Sequence, residues 1–210
     1  MNEPPSGKQV QMSGCRGRLH PRPGYPFALP VEVTHVLHDD GVRRVARNVG
    51  RARLPFGIGF RPYLTVGTPR VDAARLRVPA RGWLESDDRK LPTGRTLAVA
   101  GSAFDFRQAR PIGERVIDSC FTELERDADG RAWVELAADR EVRVWLETAF
   151  AFIQVFTGDT LVPERRRQGL AVEPMTCPAN AFRSGVGLIV LEPGESFAGA
   201  WGVRPRSMSH

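Results

Sequence analysis

The stretch VIDSCFTELERDADGRAWVELAADREVRVWLETAFAFIQVFT, residues 116–157, decides the fold class. It divides into apolar-rich segments of six to nine residues, broken by Asp127-Ala-Asp-Gly130 and Ala138-Asp-Arg140, both strong turn signals. Ala132–Ala137 and Val142–Glu147 are short, mostly apolar runs of strand length between these turns. The spacing predicts strands over Val116–Leu124, Ala132–Ala137, Val142–Glu147 and Ala151–Thr157, joined as a four-stranded antiparallel meander.

Outward from this stretch the pattern repeats. Leu29, Val31, Val33, His35 and Leu37 fall on one face of a strand, and Asp39-Asp40-Gly41 predicts a hairpin into Val42–Val49. Further strands are expected at Arg75–Val78, Thr96–Val99, Gly169–Glu173, Leu188–Leu191 and Phe197–Val203. No window of a dozen residues keeps a 3.6-residue apolar period, and only a helical turn near Asp105–Arg107 is expected. The 21 glycines and 17 prolines sit between the apolar runs as punctuation. The fold class is all-β, an antiparallel sandwich, because strands of this kind need a second sheet to cover their inner faces. Residues 1–24 are polar and aperiodic and are expected to lack order. One domain is expected over 25–205, with 206–210 as a tail.

With 210 residues, 41% hydrophobic and 26% charged, the chain has the composition of an ordinary globular protein. No apolar run reaches the roughly 18 residues of a membrane span and the start has no signal-peptide core, so a cytoplasmic chain without a membrane partner is expected. Cys15, Cys120 and Cys177 are odd in number and widely spaced, which argues against a disulfide framework. The net charge is +6, but 28 of the 30 basic residues are arginines scattered among 24 acids. Arg165-Arg166-Arg167 is the one run. A nucleic-acid binder would show a clustered basic face, so no nucleic-acid partner is expected.

Metal chemistry finds no ligand set: His35 and His38, three apart on a strand, point to opposite faces. No GxSxG elbow and no phosphate-binding glycine motif is present. Three segments stand out instead. PFGIGFRPYLTVG, residues 55–67, is apolar and aromatic around one charge, Arg61. Asp118 opens a strand, and Glu173 ends an apolar strand beside the rigid Pro174. A carboxylate so placed suits a general base, against the plainer reading of a capping or salt-bridged glutamate.

In order and spacing these segments resemble aldose 1-epimerases (galactose mutarotases) of the actinobacterial type. The resemblance runs through Gly24–Phe27, Pro62–Thr68, Val78–Ala80, Asp105–Arg107, Pro111–Gly113, Asp118–Leu124, Thr157–Asp159, Val172–Pro178, Leu191–Gly194 and Trp201–Gly202. It implies a galactose mutarotase-like supersandwich and cofactor-free interconversion of the α and β anomers of a free aldose. A glutamate takes the anomeric proton and a histidine protonates the ring oxygen. Residue by residue, the base falls on Glu173 and a hydroxyl-binding aspartate on Asp118, with Arg61 and Tyr63 lining the pocket. The family's Gly-x-His-Pro-Tyr motif reads Gly59-Phe-Arg-Pro-Tyr63 here, so Arg61 stands where the acid histidine belongs. Arginine holds its proton throughout the accessible pH range and is a poor general acid. The family also has strands before the GYPF segment that find no match, so the sandwich is expected to be incomplete at the N-terminus, with edge strands open to self-association. The alternatives to an epimerase are a sugar-binding pseudoenzyme, with Arg61 as a hydrogen-bonding clamp, and an inactive truncated fragment.

Overall fold

The structure, a computed structural model, describes residues 11–20, 23, 25, 29–38 and 41–206. In chain order its strands are β1 (Gln11–Leu19), β2 (Leu29–His38), β3 (Gly41–Asn48), β4 (Leu54–Phe56), β5 (Tyr63–Leu64), β6 (Arg75–Arg77), β7 (Ala80–Ser86) and β8 (Pro92–Ala98). They continue as β9 (Arg110–Pro111), β10 (Asp118–Leu124), β11 (Ala132–Ala137), β12 (Glu141–Leu146), β13 (Phe152–Phe156), β14 (Leu170–Met175), β15 (Ile189–Leu191) and β16 (Ser196–Arg206). Among the described residues, helical structure is confined to Val71–Ala73, Pro163–Arg165 and Ala181–Ser184, and none of it is long and apolar enough to cross a membrane. The helical turn expected at Asp105–Arg107 is an irregular loop, in which Asp105 accepts from the backbone and side chain of Arg107.

One domain was expected over 25–205; the chain instead divides into two compact units. The first comprises residues 1–56 and 189–202. Here β1, β2, β3 and β16 lie side by side in that order, all neighbours antiparallel, and β4 pairs with β15. The β2–β3 hairpin forms as expected, with His38 opposite Gly41; its turn residues 39 and 40 lie outside the described residues. Asn48 is fully buried, donating to Ala52 O and Leu191 O and accepting from Gly50 N, so its polar atoms are matched.

The expectation that residues 1–24 lack order is corrected in part. Gln11–Leu19 forms a nine-residue strand paired throughout with Leu29–Leu37. Its sequence lacks alternation because pairing at a sheet edge rests on main-chain hydrogen bonds, which leave no trace in side-chain pattern. Residues 1–10 lie outside the described residues.

The second unit holds residues 57–188 and carries the sandwich. One sheet has the order β5-β14-β13-β10-β7-β8; the other contributes β12-β11-β6-β9, antiparallel throughout. Phe121, Ile153, Val155 and Val172 from the first sheet and Leu76, Leu136 and Leu146 from the second are completely buried.

This topology corrects the meander. β10 and β13 are neighbours in the six-stranded sheet, whereas β11 and β12 form a hairpin in the other sheet. The chain crosses after Leu124 and returns before Phe152. Consecutive strands neighbour each other only about two-thirds of the time, and here burial decides otherwise. β11 alternates buried and half-buried residues, as a strand covered on one face does; β13 buries four of its five residues, as a central strand covered on both faces does.

Candidate active site

The six-stranded sheet turns one set of side chains inward and the other to its opposite, displayed face, where Tyr63 and Asp118 reach solvent while Cys120, Phe156, Ala171 and Glu173 are buried. On the displayed face the register aligns Cys120 of β10, Gln154 of β13 and Glu173 of β14 in one row. The next row holds Asp118, Phe156, Ala171 and Tyr63. Residues two apart on a strand share a face, so Asp118 and Glu173 come to the same surface from distant segments.

Glu173 does not end its strand, as the sequence suggested, but lies inside β14, which continues to Met175. It is 5% exposed. Residues 57–62 run antiparallel beside this strand: Phe60 N donates to Pro174 O, Val172 N to Pro62 O, and Thr176 N to Ile58 O. Continuing the Tyr63–Ala171 register brings Arg61 opposite Glu173. The Arg61 Nε donates to Glu173 Oε1 at 3.1 Å, from a side chain 70% exposed. The close approach depends on Gly57, where a Cβ would stand 2.5 Å from Cys177 Sγ.

Burial raises the pKa of Glu173 above the ordinary glutamate value by penalising its charge. The Arg61 guanidinium pulls the other way, and the nearby Asp118 carboxylate adds to the rise. Glu173 is therefore a carboxylate whose affinity for a proton has been strengthened while one face is steadied by a fixed cation. That is the electrostatic setting of a general base.

Asp118 accepts a 2.7 Å hydrogen bond from Gln154 Nε2 and lies 3.8 Å from Lys90 Nζ. Its side chain is 26% exposed, which leaves acceptor capacity at the surface. Tyr63 is 45% exposed on the same face. All four residues singled out from the sequence thus share one face, with Arg61 and Glu173 in direct contact.

Two residues escaped the sequence reading. Gln154 is the sole polar side chain in the run Phe152–Phe156, a signal that was there to be used. Lys90 sits at the tip of the β7–β8 hairpin with a φ of 62°, in a turn fixed by Asp87 Oδ1, which accepts from Arg89 N and Leu91 N. Nothing in the local sequence links that hairpin to Asp118.

Cys120 lies in the row with Gln154, and burial pushes its thiol up to about 12, so it stays protonated and unreactive. Among the described residues no three His, Cys, Asp or Glu side chains converge to hold a metal. Of the histidines, His35 belongs to β2 in the other unit, where burial and Arg44 lower its pKa, and His20 is exposed.

Comparison with known proteins follows this geometry. The family model described as aldose 1-epimerase matches residues 11–202. Uncharacterized protein YihR of Escherichia coli (strain K12) is 35% identical over 181 residues, covering 84% of this chain and 56% of that protein. This chain therefore spans little more than half the length of that relative. Among solved structures, the GalM/aldose epimerase homologue from C. elegans matches with a TM-score of 0.78 at 15% identity, over 97% of this chain and 69% of that one. The galactose 1-epimerase from Lactobacillus acidophilus NCFM matches with a TM-score of 0.73 at 19% identity, over 97% of this chain and 65% of that one. At those identities the structural likeness establishes the fold.

Proposed function

The chain belongs to the aldose 1-epimerase family, and we propose that its displayed sheet face binds a free aldose and interconverts its anomers with Glu173 as the base. The observation that carries this reading is the buried Glu173 carboxylate, raised in pKa and held by Arg61 at 3.1 Å. In the proposed cycle Glu173 takes the proton of the C1 hydroxyl. The electron pair left on that oxygen forms the C1 carbonyl while the bond from C1 to the ring oxygen breaks. The open aldehyde rotates, the ring oxygen attacks the opposite face of C1, and Glu173 returns the proton. Asp118, steadied by Gln154, accepts hydrogen bonds from sugar hydroxyls, and Tyr63 flanks the ring.

The departing ring oxygen needs stabilisation and a proton. Arg61 can supply the first through hydrogen bonding and charge, but keeps its own proton. In this reading water reaching the exposed Arg61 side supplies the second and takes it back when the ring oxygen attacks C1. Base catalysis of this kind contributes about 10²–10⁴-fold. The same contact supports a second reading, a sugar-binding protein without turnover, because Arg61 already occupies one oxygen of the base.

Polarimetry of freshly dissolved α-D-glucose and α-D-galactose separates the two. Acceleration above the spontaneous rate that Glu173→Gln abolishes is the result expected of an epimerase. A folded chain that binds sugar without acceleration, and gains it on Arg61→His, is the sugar-binding form.

A further inference from the structure

A cleft of about 630 Å³ opens in the 57–188 unit among Arg77, Ser102, Asp105, Arg107, Arg110 and Glu125. None of these residues belongs to the Glu173 face. Its volume lies inside the roughly 300–1,000 Å³ of small-molecule sites. Its charges are arranged unevenly. Arg107 is spent on Asp105, whose carboxylate takes both Nε and Nη2 at 2.9 and 2.8 Å and is held well below the ordinary carboxylate range by that pairing. Arg77 lies 3.5 Å from Glu135 and donates to Arg107 O.

Arg110 is different. Its guanidinium stacks 4.4 Å above the Phe106 ring and donates to Ala103 O, which fixes its plane. Among the described residues no carboxylate lies within ion-pair distance of it, and its Nε is buried without an acceptor. Arg115 adds like charge nearby, while the Asp105 carboxylate, already paired with Arg107, attracts Arg110 from beyond ion-pair distance. A partly desolvated guanidinium, held flat on an aromatic ring and without an ion pair of its own, is what a bound anionic oxygen group would complete.

The rest of the cleft limits which anion. Glu125 is exposed, makes no side-chain hydrogen bond, and acts on Arg107 from its side of the cleft. Gln108 also lines the cleft and is exposed. These are acceptors for hydroxyl groups, and the carboxylate would repel a ligand that is anionic throughout. We propose that this cleft is a binding site for a monosaccharide carrying one anionic group, phosphate or carboxylate, with the anion on Arg110 and sugar hydroxyls on Glu125 and Gln108. The site is independent of the epimerase reading, since it requires no free anomeric centre.

The test uses anomerically locked probes that cannot be mutarotase substrates: α-D-glucose 1-phosphate and methyl α-D-glucuronide, with methyl α-D-glucoside and orthophosphate as controls. Calorimetric titration of the full chain should show at least one anionic sugar binding, its identity telling phosphate from carboxylate. Arg110→Gln should weaken it at least tenfold, Glu125→Gln several-fold, and Glu173→Gln not at all. Glu125 is exposed, so its variant reads the site even if Arg110→Gln compromises folding. The proposal is overturned if no anionic sugar binds, if orthophosphate alone binds as tightly, if the neutral glucoside binds equally, or if the loss follows Glu173 instead of Arg110 and Glu125.

Discussion

At the scale of single residues, the Glu173–Arg61 contact is unequal. The acid is buried and the base is largely in water, so the desolvation cost falls on one partner. A surface-exposed guanidinium returns only about 0–1 kcal/mol. Glu173 should therefore weaken the fold at neutral pH, and Glu173→Gln should strengthen it by on the order of 1 kcal/mol. The sign with pH follows from the raised folded-state pKa. Below the unfolded glutamate value both states are protonated and no charge is buried. As pH rises through the folded value, the buried charge forms and stability is lost. The variant does not titrate there. Scanning calorimetry should find the two proteins alike near pH 4 and the variant ahead by about 2–4 °C at pH 8. A variant that melts lower at every pH would show that the ion pair outweighs burial.

At the scale of elements, the chain's two crossings between sheets hang on Arg126. Its Nη1 donates to Gly130 O and Leu146 O, both at 3.1 Å, and its Nη2 to Phe150 O at 2.9 Å. One side chain thus ties the connection leaving β10 to the connection entering β13. Arg126→Met should cost about 2–4 kcal/mol, read as a lower urea midpoint, because it leaves three carbonyls without donors. An unchanged midpoint would mean that water replaces all three bonds. The elements themselves were largely legible: β11 and β12 stand out as short apolar-rich runs between turn signals, and β14 announces itself by an apolar run closed by Pro174. β7 was missed because its third residue is Gly82, which has no side chain to alternate and is required by Thr96 Cγ2, 2.9 Å from where a Cβ would stand. Which strand neighbours which was illegible, since β10 and β13 recognise each other through burial that only the completed sheets create. Glu173, Asp118, Arg61 and Tyr63, which the fold gathers on one sheet face, were singled out in sequence; Gln154 was not, because its partner Asp118 lies 36 residues away.

At the scale of the whole molecule, the +6 charge is dispersed. Arg61, Arg70, Arg77, Arg95, Arg107, Arg143 and Arg167 each face a carboxylate. The Arg165–Arg167 run is not a basic patch: Arg167 is buried, bound to Asp72, Asp159 and the carbonyls of Gly113 and Arg115. Fluorescence anisotropy with a short DNA duplex is expected to show no binding even at low salt; a salt-dependent rise would revise this reading. The crossing of the chain between its sheets has one more consequence, which concerns time. β10 cannot meet β13 until the intervening residues are folded back, and the β11–β12 hairpin does that folding at low loop-closure cost. On those grounds the nascent hairpin is expected to act as a clasp, with the row of Cys120, Gln154 and Glu173 laid down after it shuts. The proposed sugar-binding face is then expected to arrive late in the life of each newly made chain.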